Sequence, residues 1–68
     1  MINDWVLLGA FALEYQGELL KQVLEDEGID SVVVNKKDSA YRILGQVEVY
    51  VKQADFLKAR YIKEKTAL

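Results

Sequence analysis

The sequence contains no cysteine, no histidine and no proline. Without cysteine, the chain has no disulfide, no thiolate nucleophile and no cysteine-based zinc site. Without histidine, it lacks the usual general base, the base of a serine triad and the commonest ligand of transition metals. We therefore predict that the protein is not an enzyme and holds neither a metal nor a cofactor.

Excess charge and long apolar runs are also missing. Lysine and arginine number 9 against 11 acidic residues, which gives a net charge of -2. A nucleic-acid binder normally has a strongly basic face, so we expect no nucleic-acid partner. No run approaches the ~18 apolar residues of a membrane span, and the start, Met-Ile-Asn-Asp-Trp, lacks the basic region of a signal peptide. These features predict a cytoplasmic protein that makes no membrane contact.

The short chain limits the size of the core. Its 68 residues predict a single domain, residues 1–68. A domain of this size buries only about 60% of the surface that its unfolded chain exposes. We therefore expect a partner surface or self-association to contribute stability.

Apolar periodicity predicts the element order β-α-β-β-α. The predicted strands are Asp4 to Ala12, Ser31 to Asn35 and Gln46 to Val51, and the predicted helices are Leu13 to Glu27 and Gln53 to Lys65. The first strand is apolar on both faces. Strict alternation along it would group Trp5, Leu7, Gly9 and Phe11 on one face and Val6, Leu8 and Ala10 on the other.

The first helix carries three local signals. Gly28 and Ile29, after Leu24, have the pattern of a Schellman motif that ends the helix. Gly17 predicts either a close approach of the helix to the sheet or a groove for a ligand. The acidic end of the helix is either solvated, a weak Mg²⁺ or Ca²⁺ cluster, or a docking point for a basic partner; its residues are Glu25, Asp26, Glu27 and Asp30.

This order predicts an α+β fold, a ferredoxin-like β-α-β-β-α sandwich with a three-stranded sheet in order 1-3-2 and two helices on one face. The first strand then lies at an edge of the sheet, where an apolar strand favours pairing. We therefore predict a homo-oligomer, most simply a dimer. The predicted self-association residues are Trp5, Val6, Leu8, Tyr50, Leu57 and Tyr61.

The segment between the second and third strands is the first candidate for binding. Its cations and hydroxyls suit a phosphate or a carboxylate. The candidate residues are Asn35, Lys36, Lys37, Asp38, Ser39, Tyr41 and Arg42. An enzyme with Lys36 or Lys37 as nucleophile and Asp38 as base would need a desolvated pocket that so small a core hardly provides. The segment can also be an ordinary polar connection.

Four segments together resemble a known bacterial family. They are Asn35-Lys36-Lys37-Asp38-Ser39-x-Tyr41, Gly45-x-Val47-Glu48-Val49-Tyr50-Val51, Glu18-Leu19-Leu20-Lys21 and Leu24-Glu25-x-x-Gly28-Ile29. From about Trp5 to Ile62, the chain is similar to the small family labelled prokaryotic signal transducing protein, a domain of unknown function. The resemblance implies a ferredoxin-like domain akin to the nitrogen-regulatory PII proteins, in a bacterial cytoplasm. Gly17, Lys52 and Arg42-Ile43-Leu44 depart from the family pattern.

Two functions follow as hypotheses. The first is a regulatory or signal-transducing binding module that takes a partner protein or a small anion through the segment from Asn35 to Arg42. The second is a structural or adaptor subunit that works through the edge of the first strand and the open face of the sheet. Base stacking on Tyr50, as in RNA-binding sheets, is a further alternative that the nearby Glu48 disfavours.

Overall fold

The structure, a computed structural model, describes residues 4–35 and 47–67. In chain order these form β1 (Trp5–Phe11), α1 (Glu14–Asp26), β2 (Ser31–Asn35), β3 (Val47–Lys52), a short 3-10 helix (Gln53–Asp55) and α2 (Phe56–Thr66). The predicted order of strands and helices is confirmed. The second helix differs in its first turn, which is of the tighter 3-10 type.

Within the described residues, the sheet has three strands in the order β1-β3-β2. β3 is central and runs antiparallel to both neighbours. Its valines favour this position because β-branched side chains pack well on a pleated surface. The predicted α+β class and the strand order 1-3-2 are therefore confirmed, and β1 and β2 are the two edges of the sheet.

A β-bulge interrupts β1. The register shifts between Leu7 and Gly9, which leaves Leu8 as an extra residue on this strand. Side chains of a strand alternate between the two faces of the sheet, so one extra residue reverses this alternation on one side of the bulge. The strict alternation predicted for this strand is therefore wrong. Val6 lies opposite Val51, on the helix side of the sheet, and Leu8 packs against the core.

Both helices pack on the same face of the sheet. In the part of the chain that the structure describes, the buried core residues are Phe11, Leu20, Leu24, Ile29, Val47, Val49, Val51, Ala59 and Ile62. Leu20 and Leu24 lie one turn apart on α1, and Ala59 and Ile62 lie three residues apart on α2, so each pair shares one side of its helix. Phe56, three residues before Ala59, is partly buried and packs against the same core.

The end of α1 is a Schellman motif. The Ile29 N–H donates to the Leu24 carbonyl at 2.9 Å, and the Gly28 N–H donates to the Glu25 carbonyl at 2.9 Å. Gly28 has φ +79°, the left-handed conformation that glycine adopts without a steric penalty. Leu24 and Ile29 are both buried in the core. The predicted helix end is confirmed.

Gly17 lets α1 lie close to the sheet. A Cβ atom at this position would lie 2.6 Å from Cγ1 of Val47 and 3.5 Å from Cγ1 of Val33. Ordinary carbon contacts are about 3.5 to 4.0 Å long, so the glycine is needed for the packing. Of the two explanations for Gly17, the close approach is confirmed.

Candidate functional site

The candidate site is the face of the sheet that is opposite the helices. The strand register brings side chains from all three strands to this side, because residues paired across antiparallel strands share a face. We call this surface the open face; its residues are Trp5, Leu7, Ala10, Val32, Val34, Glu48, Tyr50 and Lys52.

Apolar side chains flank the central strand of the open face on both sides. Trp5 and Leu7 of β1 are 37% and 45% exposed, and Val32 of β2 is 39% exposed. Leu7 and Val32 both lie opposite Tyr50. Single exposed apolar residues are normal on a protein surface, whereas a contiguous patch indicates an interaction site. The open face is such a patch.

A hydrogen bond joins two residues in the middle of the open face. The Tyr50 hydroxyl donates to Oε1 of Glu48 at 2.7 Å. This bond, together with partial burial and the negative charge of Glu48, raises the pKa of Tyr50 above its ordinary value of 10.0. The two side chains lie two residues apart on β3 and therefore on the same face. The bond holds the ring and the carboxylate together.

At the other end of β3, Lys52 contacts Trp5. Its Nζ lies 5.7 Å from the centroid of the Trp5 ring, within the ~6 Å range of a cation–π interaction. The two residues are register partners in the β1–β3 pair. The open face therefore has a negative group at the Glu48 end of its central strand and a positive group at the Lys52 end.

The structure divides the predicted self-association residues among three places. Trp5 and Tyr50 lie on the open face, whereas Val6 and Leu8 lie toward the helices. Leu57 and Tyr61 lie on α2 and are 77% and 63% exposed. The six residues therefore do not form one surface.

Sequence reasoning assigned only Trp5 and Tyr50 of the eight open-face residues to a contact surface. The six that it missed are Leu7, Ala10, Val32, Val34, Glu48 and Lys52. Val32, Val33 and Val34 form a continuous apolar run, and successive side chains of a strand point to opposite faces, so this run was a usable signal that the second sheet face is also apolar. Leu7 gave no such signal, because its position depends on the bulge.

Most of the predicted binding segment lies outside the described residues. This applies to Lys36, Lys37, Asp38, Ser39, Tyr41 and Arg42. Asn35 is described: it is the last residue of β2, exposed, and paired with Val47. The pairing means that residues 36–46, eleven residues, connect two adjacent antiparallel strands.

The acidic end of α1 has an ion pair. Lys21 Nζ lies 2.9 Å from Oε2 of Glu25, one turn along the helix, and this hydrogen bond is the main cause of a raised pKa for Lys21. Within residues 4–35 and 47–67, no group of three or more acidic side chains is placed to hold a metal ion. The cluster considered for Glu25, Asp26, Glu27 and Asp30 is therefore not formed.

Of the two described helices, neither has the length and apolarity needed to cross a membrane. No protein-family model matches the chain, no curated protein matches it in a sequence search, and no solved structure matches its fold. The resemblance to the prokaryotic signal transducing family stays a prediction.

Proposed function

We propose that the protein is a non-enzymatic interaction module and that the open face is its working surface. The observation that carries this proposal is the exposure of Trp5, Leu7 and Val32, each more than one-third accessible, on the sheet face opposite the core. Removing such side chains from water contributes about 25 cal/mol per Å². A partner that covers the open face would supply the stability that a thin core does not provide.

The chemistry of the open face suits a protein partner. Its centre combines an aromatic ring, a carboxylate and an ammonium group with apolar neighbours, and interfaces are rich in aromatic anchors of this kind. The residues of the chain favour binding over catalysis, since histidine and cysteine are both missing from the sequence.

The fold and the family resemblance support a regulatory setting. The strand order 1-3-2 with two helices on one side is compatible with the ferredoxin-like arrangement, which we infer for this chain. The resemblance to the signal transducing family adds a regulatory role in a bacterial cytoplasm. A likeness of fold says little about a site, so the working surface is argued from the open face alone.

A second candidate is binding of a partner protein or a small anion through the segment from Asn35 to Arg42. The observation that favours it is the length of the connection. Hairpin loops between paired strands need about two to five residues, whereas eleven residues separate Asn35 from Val47. Connections longer than a hairpin needs are often functional. Its cations, Lys36, Lys37 and Arg42, would then recognise the anion.

Amide NMR spectra of the labelled chain, recorded in buffer and in a bacterial lysate, test the proposal. We expect line broadening confined to the open face and its loss in the variant Leu7→Asp. Leu57→Asp is the matched control, because it places the same charge on an exposed residue of α2. Open-face signals that change neither in the lysate nor with the concentration of the chain would refute the proposed surface. If the broadening is instead confined to residues 35–46 and disappears in the double variant Lys36→Ala with Arg42→Ala, the second candidate is established.

A further inference from the structure

The charges of the open face are symmetric about Tyr50. Glu48 precedes this residue by two positions on β3 and Lys52 follows it by two, so all three share one face. Glu48 and Lys52 are four residues apart on an extended strand, so their Cα atoms lie about 13 Å apart. A surface with opposite charges at equal distances from its centre is complementary to itself when it is turned end to end.

We propose that the partner of the open face is a second copy of this chain, packed face to face with its strands antiparallel. This inference rests on the proposed function of the open face. A two-fold axis that lies between the sheets, perpendicular to the strands, would pass beside Tyr50. This axis places Glu48 of each copy over Lys52 of the other, so the antiparallel arrangement forms two equivalent ion pairs.

The other two-fold arrangement is disfavoured by the same charges. An axis parallel to the strands would lay β3 over β3 in the same direction. Glu48 would then face Glu48 of the second copy, and Lys52 would face Lys52. Like charges placed together across an interface oppose binding and exclude wrong orientations. The charge pattern of β3 therefore selects the antiparallel arrangement.

The sizes of the β1 side chains agree with the antiparallel arrangement. Trp5 lies at the Lys52 end of the strand pair and Ala10 lies at the Glu48 end. Turning one copy end to end brings the large indole of Trp5 over the small Ala10 of the second copy, with Leu7 near Leu7 at the centre. Layers interdigitate best when large residues face small ones. Stacked sheets align within about 30° and about 10 Å apart, so these neighbours stay in contact.

The small area of the open face favours a weak dimer. Three strands about 4.8 Å apart and six residues long at about 3.4 Å per residue cover roughly 14 by 20 Å, or about 300 Å² of flat surface. A standard interface uses about 800 Å² per partner. The dimer is therefore expected to be weak, with a dissociation constant between about 1 μM and 1 mM.

Sedimentation equilibrium and NMR diffusion on the full chain, from about 10 μM to about 1 mM, test the inference. We expect Glu48→Lys and Lys52→Glu each to weaken dimerisation at least about tenfold, because each places like charges together twice. An equimolar mixture of the two variants has opposite charges at every facing position. We expect it to form a heterodimer within about threefold of the wild-type affinity.

Glu18→Lys on α1 and Lys58→Glu on α2 are the matched controls, since they make the same charge changes at exposed helix positions. Circular dichroism checks that every variant folds, and the exposed Lys52 is the safer position if Glu48→Lys does not fold. Wild-type chain that stays monomeric at about 1 mM would overturn the second copy as partner, while the lysate experiment would still decide the proposed function. Dimers that tolerate both charge inversions, or variants that do not recombine in the mixture, would overturn the antiparallel arrangement.

Discussion

Replacing Gly17 by alanine is expected to destabilise the protein, although alanine favours the helix. At an exposed helix position, this change stabilises by about 1 kcal/mol. At Gly17, however, the added Cβ would lie 2.6 Å from Cγ1 of Val47. That distance is about 1 Å shorter than an ordinary carbon contact, so the helix or the sheet must move.

The size of the effect follows from these two opposing contributions. Forcing an extra carbon into a packed core costs typically about 1 to 3 kcal/mol, and the gain in helix propensity offsets about 1 kcal/mol of that. We expect the free energy of unfolding to fall by about 0 to 2 kcal/mol. Val47→Ala removes the atom that the new Cβ meets, so Gly17→Ala should be less costly, or stabilising, in that background.

Urea unfolding followed by far-UV circular dichroism measures the four members of this double-mutant cycle. We expect a coupling free energy of about 1 to 3 kcal/mol between the two positions. Glu18, the exposed neighbour on α1, supplies the control: the difference between Glu18→Ala and Glu18→Gly gives the helix propensity alone, about 1 kcal/mol. If Gly17→Ala stabilises the protein by that same amount and shows no coupling to Val47→Ala, the close approach of α1 to the sheet is refuted.

Three further predictions concern the helix end, the open face and the core. Gly28→Ala should lower the free energy of unfolding by about 1 to 2 kcal/mol, because φ is +79° there; an unchanged urea midpoint would contradict the Schellman geometry. In a ¹³C-tyrosine NMR titration, Tyr50 should have a pKa above 10.0, and Glu48→Gln should bring that pKa closer to 10.0. Because the pKa is raised in the folded state, the Tyr50–Glu48 hydrogen bond stabilises the protein below pH 10. Its contribution is lost as the pH rises through the folded pKa. A Tyr50 pKa that does not respond to Glu48→Gln would exclude the bond. Leu24→Ala should lower the free energy of unfolding by about 2 to 5 kcal/mol. Leu57→Ala, at an exposed position, should change it by less than about 0.5 kcal/mol. Equal effects of the two variants in chemical denaturation would be inconsistent with the described core.

The predictions that succeeded depend on residues close together in sequence. The end of α1 was predictable because the Schellman motif involves only the stretch from Leu24 to Ile29. The buried face of β3 was predictable because Val47, Val49 and Val51 alternate with larger polar residues. In both cases the conformation is selected by neighbours within a few positions, so the local pattern contains the necessary information.

The candidate site was only partly predictable. Tyr50 and Trp5 were expected at a contact surface, and the structure places both on the open face. Val6 and Leu8 were expected beside them but lie toward the helices. The reason is the bulge, which depends on how β1 pairs with a strand some forty residues later in the chain. No pattern within β1 specifies that shift of register.

The sequence by itself determined the order of the elements, the α+β class, the end of α1 and the core side of each helix, because these follow from periodicity and from local backbone preferences. Only the tertiary structure decided which residues of β1 reach the open face and how closely α1 approaches the sheet at Gly17. It also decided that Glu48, Tyr50 and Lys52 share a surface with residues of both edge strands. These features depend on register and packing between distant segments, where a shift of one residue reverses a face and a shift of about 1 Å removes a contact.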